Sequence, residues 1–343
     1  MSVSIKDVAK RADVSTATVS RVMNQSAGVK SSKVQAVREA LAYYDYQPSQ
    51  FGRGLVTGNS RIIGVYSPLP QGNMFAEGYL LECLRGIDAV IRESQYSLLL
   101  INEPLAYFED PSAKPRFWAY AQQKKIDGLI LLHVPQEERL KHAVENLLDQ
   151  GFPAGYIGKR FHNGGVNVYA GYTAYMEDAL EKLYKNGHRK ILFIDAPFRN
   201  EDAQVAHRIM ERYPDCHIDI VTLEVNVGID RIRKVMETYC VDAHCTAILC
   251  DNLQFWVMGM IGALGQLKLN VPGDVSIIST EHVENQGAQM IPAVNCYYVP
   301  AMEMGRGIAQ KLIDCLEQGQ CGEPETLYTP VYQIRETVEC LEK

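Results

Sequence analysis

The chain has 343 residues, a length that predicts two or three domains rather than one hydrophobic core. Hydrophobic residues make up 47% and charged residues 22%, and neither an apolar run of about 18 residues nor the apolar core of a signal peptide occurs. We therefore expect a cytoplasmic globular protein without membrane spans, and its nine scattered cysteines predict reduced thiols rather than a disulfide framework.

Charge is distributed unevenly along the chain. Residues 1–60 carry eight Lys or Arg and four Asp or Glu, a net charge of +4, which leaves −11 for the remainder of a chain whose total is −7. A basic segment on an acidic body favours a phosphate-binding module joined to a soluble carrier.

Three short helices are predicted in residues 1–46, which we call the headpiece. Ser4 and Asp7 have the spacing of a capping box before the first helix. Ser15 caps the second helix, and residues 32 and 35 repeat the capping-box spacing before the third. Apolar residues recur in each segment at the spacing of one helix face, which predicts a small three-helix core.

The second helix has the composition of a DNA-recognition helix. Thr16 and Ala17 at its start can contact base edges, including a thymine methyl group, and Arg21 can bind guanine or a phosphate. The alternative is an ordinary three-helix core with a solvated face. The combination of helix length, caps and basic charge disfavours that alternative.

Two headpiece segments carry a family resemblance. IKDVA at residues 5–9 and VSTATVSRVMN at residues 14–24 resemble the headpiece of the LacI/GalR family of bacterial repressors. By that resemblance, Thr16 and Ala17 set operator choice and Arg21 is a further base-reading position. The predicted DNA-binding residues are Ile5, Lys6, Ser15, Thr16, Ala17, Thr18, Ser20, Arg21, Asn24, Ser31, Arg53 and Leu55.

Residues 47–60 resemble the hinge of that family, which forms a helix only on DNA. Leu55 matches the leucine that the family inserts into the minor groove, where an apolar wedge kinks the duplex. Gly52 and Gly54 would each cost such a helix about 1 kcal/mol relative to alanine, so we expect an unfolded hinge without DNA. Gly58 completes a near miss for a dinucleotide loop, but the spacing is wrong and no strand precedes it. No cofactor is predicted.

From residue 61 onward, apolar strands alternate with amphipathic helices, which predicts parallel sheets with helices on both faces and ligands at the carboxyl ends of strands. KIDGLIL (125–131), GHRKI (187–191), VPGDVSII (271–278) and EMGR (303–306) resemble segments of the same family. The resemblance implies an all-α helix-turn-helix headpiece and an α/β effector-binding and dimerisation body at 61–343. That body would have two periplasmic-binding-protein-like lobes joined by three crossovers. The predicted N-lobe spans about 61–161 and 292–322, and the C-lobe about 162–291 and 323–343.

The effector site departs from the family pattern. The family's sugar-contacting Asn-Asp pair falls on Leu253 and Gln254, and a common aspartate falls on Gly171, which disfavours a simple sugar. Each candidate also has an alternative as a packing or solvated surface residue. The predicted effector-binding residues are Tyr66, Tyr79, Arg160, Asp251, Gln254, Phe255 and Glu281.

Known catalytic motifs are missing from the sequence: it contains no GxSxG, P-loop or HExxH pattern. Cys240, His244, Cys245 and Cys250 match no closed zinc pattern, so no metal is predicted. We therefore expect a non-enzymatic, homodimeric repressor of metabolic genes. Its partners would be a palindromic double-stranded DNA operator and a small carbohydrate-like or related effector. The alternatives are a small-molecule-binding protein and an unrecognised enzyme on the α/β body.

Overall fold

The computed structural model describes residues 3–23, 28–46, 59–67, 75, 77–196, 201–319 and 323–341. Three helices form the headpiece: α1 (Ile5–Arg11), α2 (Thr16–Met23) and α3 (Ser31–Tyr44). Val8, Val19 and Val37, one from each helix, are fully buried against one another. The apolar spacing predicted from the sequence therefore forms this core.

The start of α3 differs from its prediction. The helix begins at Ser31, after Lys30, and no side chain caps it. Gln35 donates to Glu39 one turn further along the helix, at 2.9 Å, instead of reaching back to Ser32. The predicted capping box of Ser32 and Gln35 is therefore wrong, because the i to i+4 partner is available within the helix.

The described part of the body contains twelve strands and nine α-helices. The strands are β1 (Ile62–Tyr66), β2 (Ser97–Ile101), β3 (Gly128–Leu131), β4 (Ala154–Ile157), β5 (Val166–Ala170), β6 (Lys190–Asp195), β7 (His217–Thr222), β8 (Ala247–Cys250), β9 (Ser276–Glu281), β10 (Asn295–Tyr298), β11 (Glu325–Tyr328) and β12 (Val331–Gln333). The helices are α4 (Gly78–Ile91), α5 (Leu105–Glu109), α6 (Arg116–Gln122), α7 (Glu138–Asp149), α8 (Tyr172–Lys185), α9 (Asp202–Arg212), α10 (Ile229–Met236), α11 (Met258–Gln266) and α12 (Ala301–Gln318). A π-helical segment, Leu253–Val257, leads into α11.

Two six-stranded sheets organise the body. The first has the order β11-β5-β4-β3-β1-β2 and is parallel throughout. The second has the order β12-β10-β9-β8-β6-β7, with β12 antiparallel to β10. We call the first sheet with α4–α7 and α12 the N-lobe, and the second sheet with α8–α11 the C-lobe. The two-lobed architecture agrees with the prediction, except for the antiparallel edge strand β12.

The chain crosses between the sheets three times, but later than the sequence suggested. β5 pairs with β4, so the first crossover lies beyond residue 170 rather than at 161. β10 pairs with β9, so the second lies beyond residue 298 rather than at 291, and β11 pairs with β5, so the third lies beyond residue 328. The predicted boundaries were early because these short strands precede each crossover and were not recognised.

Alternation along each strand divides the core into layers. In β3, Ile130 faces a central core that includes residues of both sheets, α4 and α12. Leu129 and Leu131 face an outer core with Phe117 of α6. Each sheet is therefore covered on both faces, and its strand ends remain as the place for a site.

Two glycines allow α4 and α12 to pack closely within the N-lobe. A Cβ atom on Gly86 would lie 1.9 Å from the carbonyl oxygen of Met302, and one on Gly305 would lie 2.1 Å from that of Cys83. The glycine of the EMGR segment is therefore required for helix contact.

The cysteines depart in one respect from the expected set of thiols. Cys315 in α12 is disulfide-bonded, which corrects that expectation. Cys83, Cys250 and Cys296 are buried free thiols, and burial raises their pKa values. Within the described residues, no helix is long and apolar enough to cross a membrane.

Candidate functional site

Side-chain caps fix the two helices that begin the headpiece. The backbone N–H and the hydroxyl of Ser4 both donate to Asp7 Oδ2, at 2.9 and 2.6 Å, and these bonds lower the pKa of the Asp7 carboxyl. The backbone N–H of Thr18 donates to Ser15 Oγ at 3.2 Å. Two of the predicted caps are therefore formed, and they hold the α1–turn–α2 unit.

The predicted recognition face of α2 lies on the surface. Thr16, Ala17 and Arg21 are exposed, whereas Val19 on the opposite face is fully buried. Three side chains with base-contacting chemistry thus share an exposed helix face, which is the arrangement needed to enter a major groove.

The remaining predicted DNA-binding residues fall into three groups. Ser15, Lys6 and Ser31 are exposed. Thr18, Ser20 and Ile5 are half-buried, and Ile5 packs against the headpiece core. Three further predicted residues, Asn24, Arg53 and Leu55, lie outside the described residues.

A cation–aromatic contact joins the first and third helices. The guanidinium carbon of Arg11 lies 3.3 Å from the centroid of the Tyr43 ring, and Tyr43 meets Tyr44 edge-on at 5.0 Å. This contact fixes α3 relative to the α1–α2 unit. No local sequence pattern reveals this contact, because Arg11 and Tyr43 are 32 positions apart.

One carboxylate holds the chain where it enters the body. Asp127 Oδ1 accepts from the backbone N–H and the hydroxyl of Ser60, both at 2.8 Å, and Asp127 Oδ2 accepts from the backbone N–H of Arg61 at 2.6 Å. Arg61 has a φ of 54°, a left-handed conformation that these bonds help to maintain. Asp127 therefore anchors the body-side end of the segment leading from the headpiece.

A cavity of about 510 Å³ opens where the ends of the two sheets meet. His133 follows β3, Lys159 follows β4, and Tyr169 is the last residue but one of β5, on the N-lobe side. His282 follows β9 on the C-lobe side, and the start of α8 closes one wall. Its volume and its position at strand ends are those of a small-molecule site.

Aromatic contacts line this cavity, which we call the cleft. The ring of Tyr79, in α4, lies 5.4 Å from His133 and 4.9 Å from His282, so it contacts imidazoles from both lobes. Tyr172 and Tyr175, in α8, meet edge-on at 5.4 Å. These contacts bring together rings from four separate chain segments.

Of the seven predicted effector-binding residues, only Tyr79 lines the cleft. Tyr66 is buried in the outer N-lobe core, where its ring meets Phe117 edge-on at 4.9 Å. Arg160 donates to the carbonyl oxygen of Asn163 at 2.6 Å, while its neighbour Lys159 lines the cleft. Successive side chains point in opposite directions at these strand ends, so those of Tyr66 and Arg160 point away from the cleft.

The predicted C-lobe residues also have other roles. Phe255 packs on the outer C-lobe core, and Asp251 is buried, with 3% of its surface exposed. Glu281 forms a buried ion pair with Arg335 at 2.6 Å and accepts from the backbone N–H of Gly287 at 2.6 Å. The residue after Glu281, His282, occupies the cleft wall instead.

Gln254 makes a contact between the lobes. Its Oε1 accepts from the backbone N–H of Gly78 at 2.8 Å, and Gly78 is the first residue of α4. Gln254 itself is held by the π-helical segment, whose N-cap Asn252 accepts from the Gln254 backbone N–H at 2.9 Å. It lies outside the cleft wall and connects the elements that bear that wall.

Three buried carboxylates lie behind the cleft in the C-lobe. The Tyr172 hydroxyl donates to Asp202 Oδ1 at 2.7 Å, and Asp202 in turn hydrogen-bonds Asp195. Burial raises the pKa of Asp195, and the nearby Asp251 carboxylate adds to this increase. Of these three carboxylates, only Asp251 was predicted from the sequence, although Asp195 ends a strand. No group of His, Cys, Asp or Glu among the described residues is arranged to hold a metal ion.

Two family models match the chain. Residues 4–49 match "Bacterial regulatory proteins, lacI family", and residues 180–338 match "Periplasmic binding protein-like domain". The HTH-type transcriptional repressor PurR of Klebsiella pneumoniae (strain 342) is 26% identical over 339 residues, covering 90% of this chain and 89% of the relative. PurR of Proteus mirabilis (strain HI4320) is 25% identical over 330 residues, with the same coverage.

Solved structures share the fold over nearly the whole chain. The lac repressor dimer bound to operator and the anti-inducer ONPF superposes with a TM-score of 0.78 at 19% identity, covering 99% of this chain and all of that one. The regulator CelR in complex with cellobiose gives 0.64 at 18% identity, covering 98% and 100%. All four of these proteins are transcriptional regulators, in agreement with the prediction that this chain is not an enzyme.

Proposed function

We propose that the chain is a lacI-family repressor that reads a near-palindromic operator as a homodimer and responds to a small molecule in the cleft. Residues 4–49 match the model of that family, and a PurR repressor aligns with 90% of the chain. The observation that carries this proposal is the exposed face of Thr16, Ala17 and Arg21 on a capped helix. Because its partner would be DNA, we expect the protein to lie in the cytoplasm.

Dimerisation is supported by the size of the headpiece and by the body surface. One three-helix unit buries too little area for specific binding, and two units joined by a dimer add their contacts. Met258 of α11 and Ile229 of the adjacent α10 are 73% and 50% exposed, respectively, and provide apolar surface suited to a second copy. Two headpieces would then occupy half-sites about one helical turn apart.

Coupling between the cleft and the headpiece is supported by the three crossovers. An effector that binds one arrangement of the lobes more tightly shifts the population towards it. Asp127, in the N-lobe, holds the end of the segment that leads to the headpiece. A change in lobe arrangement would thereby alter the spacing of the two headpieces. The effector would then change the affinity for DNA by the same factor by which DNA changes the affinity for the effector.

Selection of bound sequences from a random duplex pool, followed by fluorescence anisotropy over a salt series, tests this function. The full chain should select a near-palindrome and lose affinity steeply with salt. Arg21→Ala should weaken binding about tenfold or more, from a loss of about 1–3 kcal/mol, whereas Arg92→Ala, a control at an exposed arginine of the body, should not. Unchanged affinity after deletion of residues 1–58 would refute the proposal, and sedimentation velocity reports the dimer.

A further inference from the structure

We propose that the cleft binds a planar aromatic molecule of one or two rings, with polar substituents at its edge, rather than a simple sugar. This inference rests on the proposed function, because it names the chemical class of the effector for the same cleft. It is carried by the side chains that line the cavity and by those that are turned away from it.

Rings make up one third of the described residues that line the cleft. Six of the side chains that line it are aromatic or imidazole, and they come from both lobes: Tyr79, His133, Tyr169, Tyr172, Tyr175 and His282. Flat π surfaces favour offset-stacked or edge-to-face contact with another ring. A flat ligand that enters between such rings is in contact on both faces, and its selection requires few hydrogen bonds.

Three polar side chains that the sequence placed at the effector site do not line the cleft and are bound elsewhere in the protein. Gln254 Oε1 accepts from Gly78, and both carboxylate oxygens of Glu281 accept from Arg335. Arg160 donates to a carbonyl oxygen beyond the cleft. A sugar presents hydroxyls around its whole edge, and each one buried without a partner lowers affinity. The described lining has four non-aromatic polar side chains, Gln136, Lys159, Thr173 and Glu201, against six rings, which favours stacking over the recognition of many hydroxyls.

Among the described residues that line the cleft, two are charged. Lys159 from the N-lobe and Glu201 at the start of α9 are both exposed, and the other side chains that line the cleft are uncharged polar, apolar, aromatic or imidazole. Polar substituents of the ligand are therefore expected to face these two exposed residues, with the ring further inside. A volume of about 510 Å³ accommodates one or two rings together with ordered water.

Isothermal titration calorimetry on the full chain tests the class directly. The planar probes are benzoate, 4-hydroxybenzoate, indole-3-acetate, adenine and uracil, and the saturated probes are glucose, ribose and cellobiose. We expect at least one planar probe to bind at least tenfold more tightly than every sugar. A sugar that binds more tightly than all planar probes would overturn the inference, and so would the failure of every planar probe to bind.

Ring-removing variants place the binding in the cleft. Tyr79→Leu and Tyr169→Leu should each weaken the best planar probe about tenfold, whereas Tyr120→Leu, a half-buried tyrosine outside the cleft, should leave it unchanged. Circular dichroism confirms that each variant is folded, and equal losses of affinity in all three would overturn the assignment.

Operator binding without a ligand is measured in parallel. If operator binding persists while a sugar proves the best ligand, only this inference fails. If DNA binding is independent of residues 1–58, the proposed function fails whichever probe binds.

Discussion

Gln254 and Gly78 join the two lobes through one hydrogen bond of 2.8 Å at the edge of the cleft. A Cβ atom at position 78 would lie 2.4 Å from Gln254 Oε1, so any larger residue there would displace the end of the Gln254 side chain. The next residue, Tyr79, contacts His282 of the C-lobe. Two adjacent positions at the start of α4 therefore carry contacts to the other lobe.

Loss of this bond should shift the lobes towards an open arrangement. A single hydrogen bond of this kind contributes about 1 kcal/mol, so Gln254→Ala should shift the closed-to-open ratio about fivefold. Hydrogen exchange of the amides at residues 78–81 measures the change, and their protection should decrease. Gln310→Ala, which removes a side-chain bond within α12 at 2.9 Å, is the matched control. Unaltered exchange at residues 78–81 would show that the bridge does not hold the lobes.

The Asp127 anchor should affect DNA binding from outside the DNA interface. Asp127→Ala removes the acceptor of three bonds from Ser60 and Arg61, so the body-side end of the segment that leads to the headpiece has more conformational freedom to lose when the headpiece binds the operator. We expect operator affinity to fall about tenfold, which corresponds to about 1.4 kcal/mol. Fluorescence anisotropy measures this change. Asp314→Ala, at a half-buried aspartate of α12, controls for the loss of charge, and an equal effect of both would refute the anchor.

The buried pair of Glu281 and Arg335 should be essential for the stability of the C-lobe. Their side chains are 1% and 10% exposed, so Arg335→Leu leaves a carboxylate uncompensated in the interior. The expected loss is about 3–5 kcal/mol in the free energy of unfolding, measured by urea denaturation. The double variant Glu281→Leu and Arg335→Leu should recover most of that loss. A single variant as stable as the unmodified chain would contradict the pairing.

The carboxylates behind the cleft predict a pH-dependent stability. Because the pKa of Asp195 is raised in the folded protein, the folded state holds its proton at pH values where the unfolded state has released it. Stability is therefore lost as pH rises from the unfolded pKa through the folded one. Asp195→Asn, which retains the shape without the charge, should raise Tm at pH 8, and the gain should shrink towards pH 4. A gain that grows as pH falls would contradict the raised pKa.

Local patterns in the sequence predicted the headpiece and the strand–helix alternation, because spacing and caps depend on neighbouring residues. They did not predict β5, because Val166–Ala170 is a short strand that follows a glycine pair. The cleft residues depended on side-chain direction and distant partners. Tyr66 and His282 both lie at strand ends, yet the Tyr66 side chain is buried in the outer N-lobe core and that of His282 lines the cleft. Glu281 is turned inward by Arg335, 54 positions away, which no local pattern reveals.

Base preference tests the central claim most directly. In the proposed function, the exposed side chains of Thr16 and Ala17 read operator bases. The buried core of the headpiece is formed by other residues, so substitutions at these two positions should not change its packing. The double variant Thr16→Gln and Ala17→Asn should therefore keep its fold and salt-dependent affinity for random DNA but select a different consensus from a random duplex pool. Selection of the same consensus by both proteins, at equal affinity, would contradict the claim that this helix reads the operator.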